Sequence, residues 1–343
     1  MSAVKQPTIL DVAERAGVSK SLVSLAMRGS DQVGAASRKA IFEAAAELGY
    51  RPNAAARSLV RQRSFILGVM LSDLHNPFFA EVVDGIDDAA LSTGYRALYN
   101  SGRRSPRLEA EAIETLLELR VDGLVVAAPA ISPKAAVAAA RSVPTVVVGR
   151  ATRSPQIDCV TNDDRLGGEL VVDHLVSLGH RHIAHIHGGS GAGAHPRRTG
   201  YERAMRRHGL ASEVRSITGA YTEQAGMEAM TELLDSDNRP TAVFAANDVA
   251  AIGALDVLDE RGLRVPEDIS VVGYDNTHIS GRHRYALTTV DQPRSEIGRV
   301  AVSLLLERLN GERIEARRVV LAPRLVVRRS SADAPRRATP QPT

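Results

Sequence analysis

Apolar residues in the first fifty positions recur at helical spacing. Ile9, Val12, Ala13 and Ala16 share one face of a short helix that Thr8 caps and Gly17 ends. Asp11, three residues after Thr8, complements the helix dipole and the first-turn amides. Ser19 caps a second helix whose Leu22, Val23 and Ala26 face inward, with Lys20, Ser21 and Ser24 on the other side. A third helix is predicted over 36–48, with Ile41, Ala44, Ala45 and Leu48 as its core face and Gly49 as its stop. Two short helices joined by a glycine-containing turn make a helix-turn-helix, whose second helix enters the major groove of DNA.

From residue 64 the periodicity changes. Strand-like runs at 65–71, 95–100, 123–128 and 145–149 alternate with helical stretches at 78–93 and 108–119 and a short alanine-rich helix. A second series follows: helix 166–178, strand 182–188, a helix through Tyr201 to His208, strand 241–247, helix 250–261 and strand 270–275. This α/β alternation predicts two doubly wound lobes with parallel sheets, which bind small ligands in the crevice beyond the strand C-termini.

Composition adds three constraints. The 343 residues leave room for two or three domains with a sizeable core. No run of about twenty apolar residues and no secretory leader pattern occurs, and Cys159 is the lone cysteine; together these predict a reducing cytoplasm and no membrane. Residues 1–63 carry ten Lys/Arg against five Asp/Glu, so a head of +5 precedes a body of −2 in a chain of net +3. A basic module on a slightly acidic body suits docking on phosphate.

The stretch TILDVAERAGVSKSLVSLAMRG, continued by AIFEAAAELGYRPNAAARSL, resembles the head of the LacI/GalR family of repressors. The resemblance implies that Pro52, Asn53, Ala56 and Leu59 belong to a hinge helix formed when two subunits meet on DNA, with Leu59 wedged into the minor groove. Residues 53–60 are too few for a stable isolated helix, and an inserted leucine costs a few kcal/mol of unstacking while the bent DNA meets more protein. Lys20 and Ser21 are the expected base readers, Leu25 offers at most an apolar contact to a thymine methyl, and Thr8, Ser19, Ser24 and Arg28 suit phosphates. Two departures stand out. Leu25 replaces a frequent arginine, removing an Arg–guanine contact worth about 1–3 kcal/mol, and Gly34 replaces a serine cap.

The body resembles the periplasmic-binding-protein-like core that this family places after its hinge. The expected organisation is a head at 1–49, a hinge at 50–63, a first lobe at 64–162 plus 292–322, a second lobe at 163–291 plus 323–330, and a disordered tail at 331–343. Crossings between lobes are expected near 161–163, 290–293 and 321–323. The tail lacks leucine heptads, which favours a homodimer over a tetramer.

Effector contacts are expected from Asp73, Asn76 and Phe78 after the first strand, Arg197 in RRTGY, Phe244, Asn247 and Asp248 in FAAND, Asp275 in GYDN, and Gln292 in VDQP. Amides and carboxylates beside an aromatic wall suit a sugar or sugar derivative, although purine nucleobases also use this fold. His180, His182, His185 and His187 invite a metal reading, but no Cys or Glu cluster accompanies them, and no metal or cofactor is assigned. The Gly-rich 188–200 stretch lacks the Lys-Ser/Thr of a phosphate loop and the third glycine of a dinucleotide fingerprint. No catalytic constellation appears, so an enzyme is the weaker reading; a solute-binding protein predicts a signal peptide and no helix-turn-helix. The expectation is a ligand-responsive transcriptional repressor, binding a pseudo-palindromic operator as a dimer.

Overall fold

The computed structural model describes residues 7–27, 29–50 and 63–335, in two compact units, Met1–Ser64 and Phe65–Thr343. In the first unit, α1 (Ile9–Arg15), α2 (Lys20–Met27) and α3 (Ala35–Glu47) pack around Val12, Val23, Ala26, Val33, Ile41 and Ala44. Thr8 and Asp11 form a reciprocal capping box, the Thr8 amide and hydroxyl donating to the Asp11 carboxylate at 2.6 and 2.7 Å. Ser19 caps α2 by accepting from the Leu22 amide at 3.2 Å. Gly34 caps α3 without a side-chain bond, the loss expected where serine is absent.

The second unit opens with β1 (Ile66–Leu71), α4 (Phe78–Ser92), β2 (Arg96–Ser101), α5 (Pro106–Glu118), β3 (Gly123–Ala127), α6 (Pro133–Ala140), β4 (Thr145–Val148) and β5 (Ile157–Asn162). After Asp163 come α7 (Asp164–Ser177), β6 (Ile183–His187), α8 (Ala194–Arg207), β7 (Arg215–Thr218), α9 (Glu223–Leu234), β8 (Ala242–Ala245), α10 (Asp248–Glu260), β9 (Ser270–Asp275) and β10 (Thr288–Asp291). The chain ends through α11 (Arg294–Leu309), β11 (Arg318–Leu321) and β12 (Arg324–Val326). One six-stranded sheet runs β11-β5-β4-β3-β1-β2 and the other β12-β10-β9-β8-β6-β7. All pairs are parallel except β10–β12, where the chain's last return leaves an antiparallel edge.

The chain passes between sheets at 163, at 292–293 and at 322–323, and the Asp163 amide donates to the Leu321 carbonyl, tying two crossings together. Beside the crossing at 292–293, Arg294 reaches Glu81 on α4 with both carboxylate oxygens accepting (3.0 and 2.8 Å), and also meets Asp291 at 3.3 Å. Elements β5, β7, α9, β10, α11, β11 and β12 escaped the periodicity reading. The expected tail is also corrected: residues 331–335 lie on the second lobe, with Ser331 Oγ at 2.9 Å from His174, and the Ala334 amide donating to the Leu178 carbonyl. A Pro/Ser/Ala composition made this stretch look disordered, but its backbone and hydroxyls find buried partners.

Three pairs of helices cross with backbone against backbone. Gly85 and Gly298 face each other's helix in the α4–α11 pair, Gly168 and Gly200 in α7–α8, and Gly226 and Gly253 in α9–α10. At each of the six, an added methyl would run into a carbonyl oxygen of the opposing helix.

Candidate functional site

In the head, Lys20 and Ser21 are exposed on α2, as base readers must be. Ser24 and Leu25 are half-buried, and Leu25 packs partly on the head's own core, so less of it is available to a base. Arg28, Asn53, Ala56 and Leu59 lie outside the described residues.

In the body, a cavity of about 60 Å³ opens between the lobes beyond the strand C-termini. The first lobe supplies Asn76 and Phe78 from the turn that starts α4, with Gly149 and Asn162 from the ends of β4 and β5. The second supplies Asp164, Arg197, Tyr221 and Asp275, and Gln292 comes from a crossing segment. Asn162 Nδ2 donates to Gln292 Oε1, whose own amide donates to Asp275 Oδ1 at 2.5 Å. A chain of side chains thus runs from lobe to lobe through the crossing. Burial pushes the Asp275 pKa up to about 8; Asp248 adds to this, while Arg197 and Gln292 oppose it. Asp275 also holds φ at +112°, a region costly for a residue with a Cβ and one that clusters at functional sites.

Arg197, 4% exposed, donates to the Ala246 carbonyl and, at 2.8 Å, to Asp164 Oδ1. Its guanidinium lies over the Tyr274 ring at 3.4 Å and stands 5.7 Å from the centre of Tyr221. Burial works against its charge, but Tyr221, Asp164, Tyr274 and Asp275 outweigh that and raise its pKa. At the rim of the cleft, Arg150 beyond β4 donates to the Ser190 carbonyl in the Gly-rich loop. Tyr221 holds the same loop by donating to the Ala192 carbonyl at 2.7 Å, and Gly188 and Gly191 lie so close to its ring that a Cβ would collide.

Residues 8–53 match the profile of bacterial regulatory proteins of the lacI family, and 172–331 that of a periplasmic binding protein-like domain. The HTH-type transcriptional repressor PurR of Erwinia tasmaniensis is 35% identical over 340 residues, spanning 96% of this chain and 98% of that protein. This chain belongs to the LacI family. It is a DNA-binding transcriptional repressor of that family. Two solved structures are similar along nearly the whole chain. The lac repressor dimer bound to operator and the anti-inducer ONPF gives a TM-score of 0.85 at 32% identity, covering 96% of this chain and 100% of that one. The complex of the transcriptional regulator CelR with cellobiose gives 0.71 at 34%, covering 94% and 99%.

Within this LacI-family core, four expected effector residues are placed elsewhere. Phe244 is wholly buried, stacked on His185 at 4.4 Å, because the inward face of β8 points into the lobe core. Asn247 caps α10, accepting from the Ala250 amide at 2.9 Å. Asp248 is fully buried and accepts from the Thr277 amide and from the hydroxyls of Thr277 and Thr289; burial lifts its pKa to about 6 against those donors. Asp73 accepts from the His75 amide at 2.9 Å and meets Arg104 at 3.5 Å, closing its own loop instead of lining the cavity.

Sequence reasoning missed Asp164, Asn162 and Tyr221. Asp164 reads as an ordinary first-turn acid, and Tyr221 follows the weakly patterned edge strand β7. The RRTGY arginine, buried in a helix, was the available pointer to a carboxylate partner. The four histidines serve the second lobe: His180 meets Thr241 and Ser270, His182 meets Glu213, and His187 accepts from the Gly189 amide. His185 donates to the Phe244 carbonyl, and burial drives its pKa down to about 3. Among the described residues, no three His, Cys, Asp or Glu gather as metal ligands, and no helix is long and apolar enough to cross a membrane.

Proposed function

We propose that the protein binds a pseudo-palindromic operator as a homodimer, and that a sugar or sugar derivative in the interlobe cleft sets its DNA affinity. One observation carries this reading: both lobes and a crossing segment meet on a single cavity through Asn76, Phe78, Arg197, Asp275 and Gln292. Phe78 and Tyr221 offer flat apolar faces for C–H groups, and the amides and carboxylates match hydroxyls. The similarity to a cellobiose complex supports a sugar, and the similarity to an operator-bound dimer supports the assembly.

In this reading residues 1–49 are the DNA head and 50–63 the hinge. Lys20 and Ser21 read bases, Thr8, Ser19, Ser24 and Arg28 approach phosphates, and Leu59, with Asn53 and Ala56, forms the minor-groove wedge. Ligand alters lobe closure, lobe closure alters the spacing of the paired hinges, and both heads engage only when the hinges meet. Coupling of about 1–3 kcal/mol changes affinity roughly 5- to 150-fold.

The test uses operators selected from random DNA and fluorescence anisotropy with the full chain, titrating mono- and disaccharides beside hypoxanthine and guanine. A sugar should shift operator affinity within that range and lose its effect in Asp275→Ala. A shift produced by nucleobases alone would overturn the sugar assignment.

A further inference from the structure

Among the described residues lining the cavity Arg197 is the one cation, with Arg150 at the rim turned to the Ser190 carbonyl, and both terminal nitrogens of Arg197 are already engaged. One terminal nitrogen donates to the Ala246 carbonyl and the other to Asp164, while Tyr274 covers a face of the guanidinium. Only Nε is left without a partner. Asp164 is as buried as Arg197, their side chains 8% and 5% exposed, so solvent screens the pair poorly.

The backbone builds this pairing. Gly168 and Gly200 let α7 and α8 touch, bringing the carboxylate of one helix to the guanidinium of the other. Gly193, the N-cap of α8 at φ +77°, leaves the space that the Asp164 carboxylate fills; a Cβ there would collide with it. A second acid, Asp275, lines the same cavity. An incoming carboxylate or phosphate therefore meets a cation whose charge Asp164 already matches, with one further carboxyl group, Asp275, beside it.

We propose that Asp164 is a charge-selectivity residue: by holding Arg197 neutralised, it admits uncharged hydroxyl-bearing ligands and rejects sugar acids and phosphorylated sugars. This rests on the cleft being the effector site. Arg197 then meets a ligand as half of an ion pair: its remaining N–H groups can serve a hydroxyl, but it has no uncompensated charge to offer a carboxylate.

The full-length protein, Arg197→Gln, Asp164→Asn and Asp164→Asn/Arg197→Gln are titrated with D-glucuronate and with inorganic phosphate, reading melting temperature and heat of binding. Wild type should show no saturable stabilisation that depends on Arg197. Asp164→Asn should gain saturable binding of either anion at least tenfold tighter than any wild-type response, and the double variant should lose it. Wild-type binding that vanishes in Arg197→Gln, or no gain in folded Asp164→Asn, overturns the proposal; the wild-type arm decides even if Asp164→Asn does not fold. Operator affinity is measured in parallel. If no ligand of any charge alters it, the effector reading fails, while the anion result still judges Asp164.

Discussion

Arg150 of the first lobe donates to the Ser190 carbonyl of the second at 3.0 Å, across the rim of the cleft and away from the crossing segments. This side-chain bond joins the lobes where they are free to part. A solvent-exposed hydrogen bond from a charged donor contributes about 1 kcal/mol. Arg150→Ala should therefore lower the closed population roughly fivefold and speed effector release. Dyes on Lys134→Cys and Asp237→Cys, one on each lobe, would report it by energy transfer; the native Cys159 is buried and should not compete for label. Unchanged transfer efficiency would remove Arg150 from lobe closure.

Asp275 should make stability depend on pH with a definite sign. Its folded pKa near 8 lies above the ordinary carboxyl value, so the folded state holds a proton that the unfolded state has released. That contribution is fully present below about pH 4 and is lost as pH rises through about 8. Asp275→Asn removes the penalty. Its melting temperature should exceed wild type by several degrees at pH 8.5, with the gap closing toward pH 4.5. A gap that stays constant across this range would contradict the assignment.

The α4–α11 crossing predicts a size limit of one hydrogen atom. Gly298→Ala places a methyl against the Val82 carbonyl, and overpacking of this kind costs about 1–3 kcal/mol. Differential scanning calorimetry should show a drop of roughly 2–10 °C. Gly34→Ser, at the open cap of α3, should instead be neutral or stabilising, because nothing surrounds it and a hydroxyl can cap the helix.

Lys20 and Ser21 should govern which operator is chosen. Exchanging both for alanine is expected to change the sequence recovered by binding-site selection, whereas Thr8→Ala should weaken all sequences about equally. An unchanged selected sequence would transfer base reading to other residues of the head.

Much of this was legible in the sequence, and the failures have physical causes. Continuous apolar runs revealed β1, β3, β4, β6, β8 and β9, whereas the interior strands β5 (IDCVTN) and β10 (TTVD) carry too many polar residues to read as apolar runs. Edge strands β7 and β11 are buried on neither side throughout, so their patterns were too weak to read. Searching strand C-termini located Asn76, Phe78, Arg197, Asp275 and Gln292. The same rule overreached at FAAND, because the turn after β8 dips into the lobe and spends Asn247 and Asp248 on capping and anchoring. Asp164 and Tyr221 stayed hidden because their role is set by helix contact and loop packing between distant segments, which no local spacing encodes.

The glycine crossing of α4 and α11 bears on how movement is conveyed. Where side chains separate two helices, rotamers can absorb a displacement, and the joint is compliant. Here the backbones themselves touch at Gly85 and Gly298, and Arg294 grips Glu81 just beyond. Helix α11 begins directly after the crossing at 292–293, and α4 begins with the cleft residue Phe78. The two helices therefore form a joint without backlash: a shift of the crossing segment is delivered to the first lobe almost undiminished.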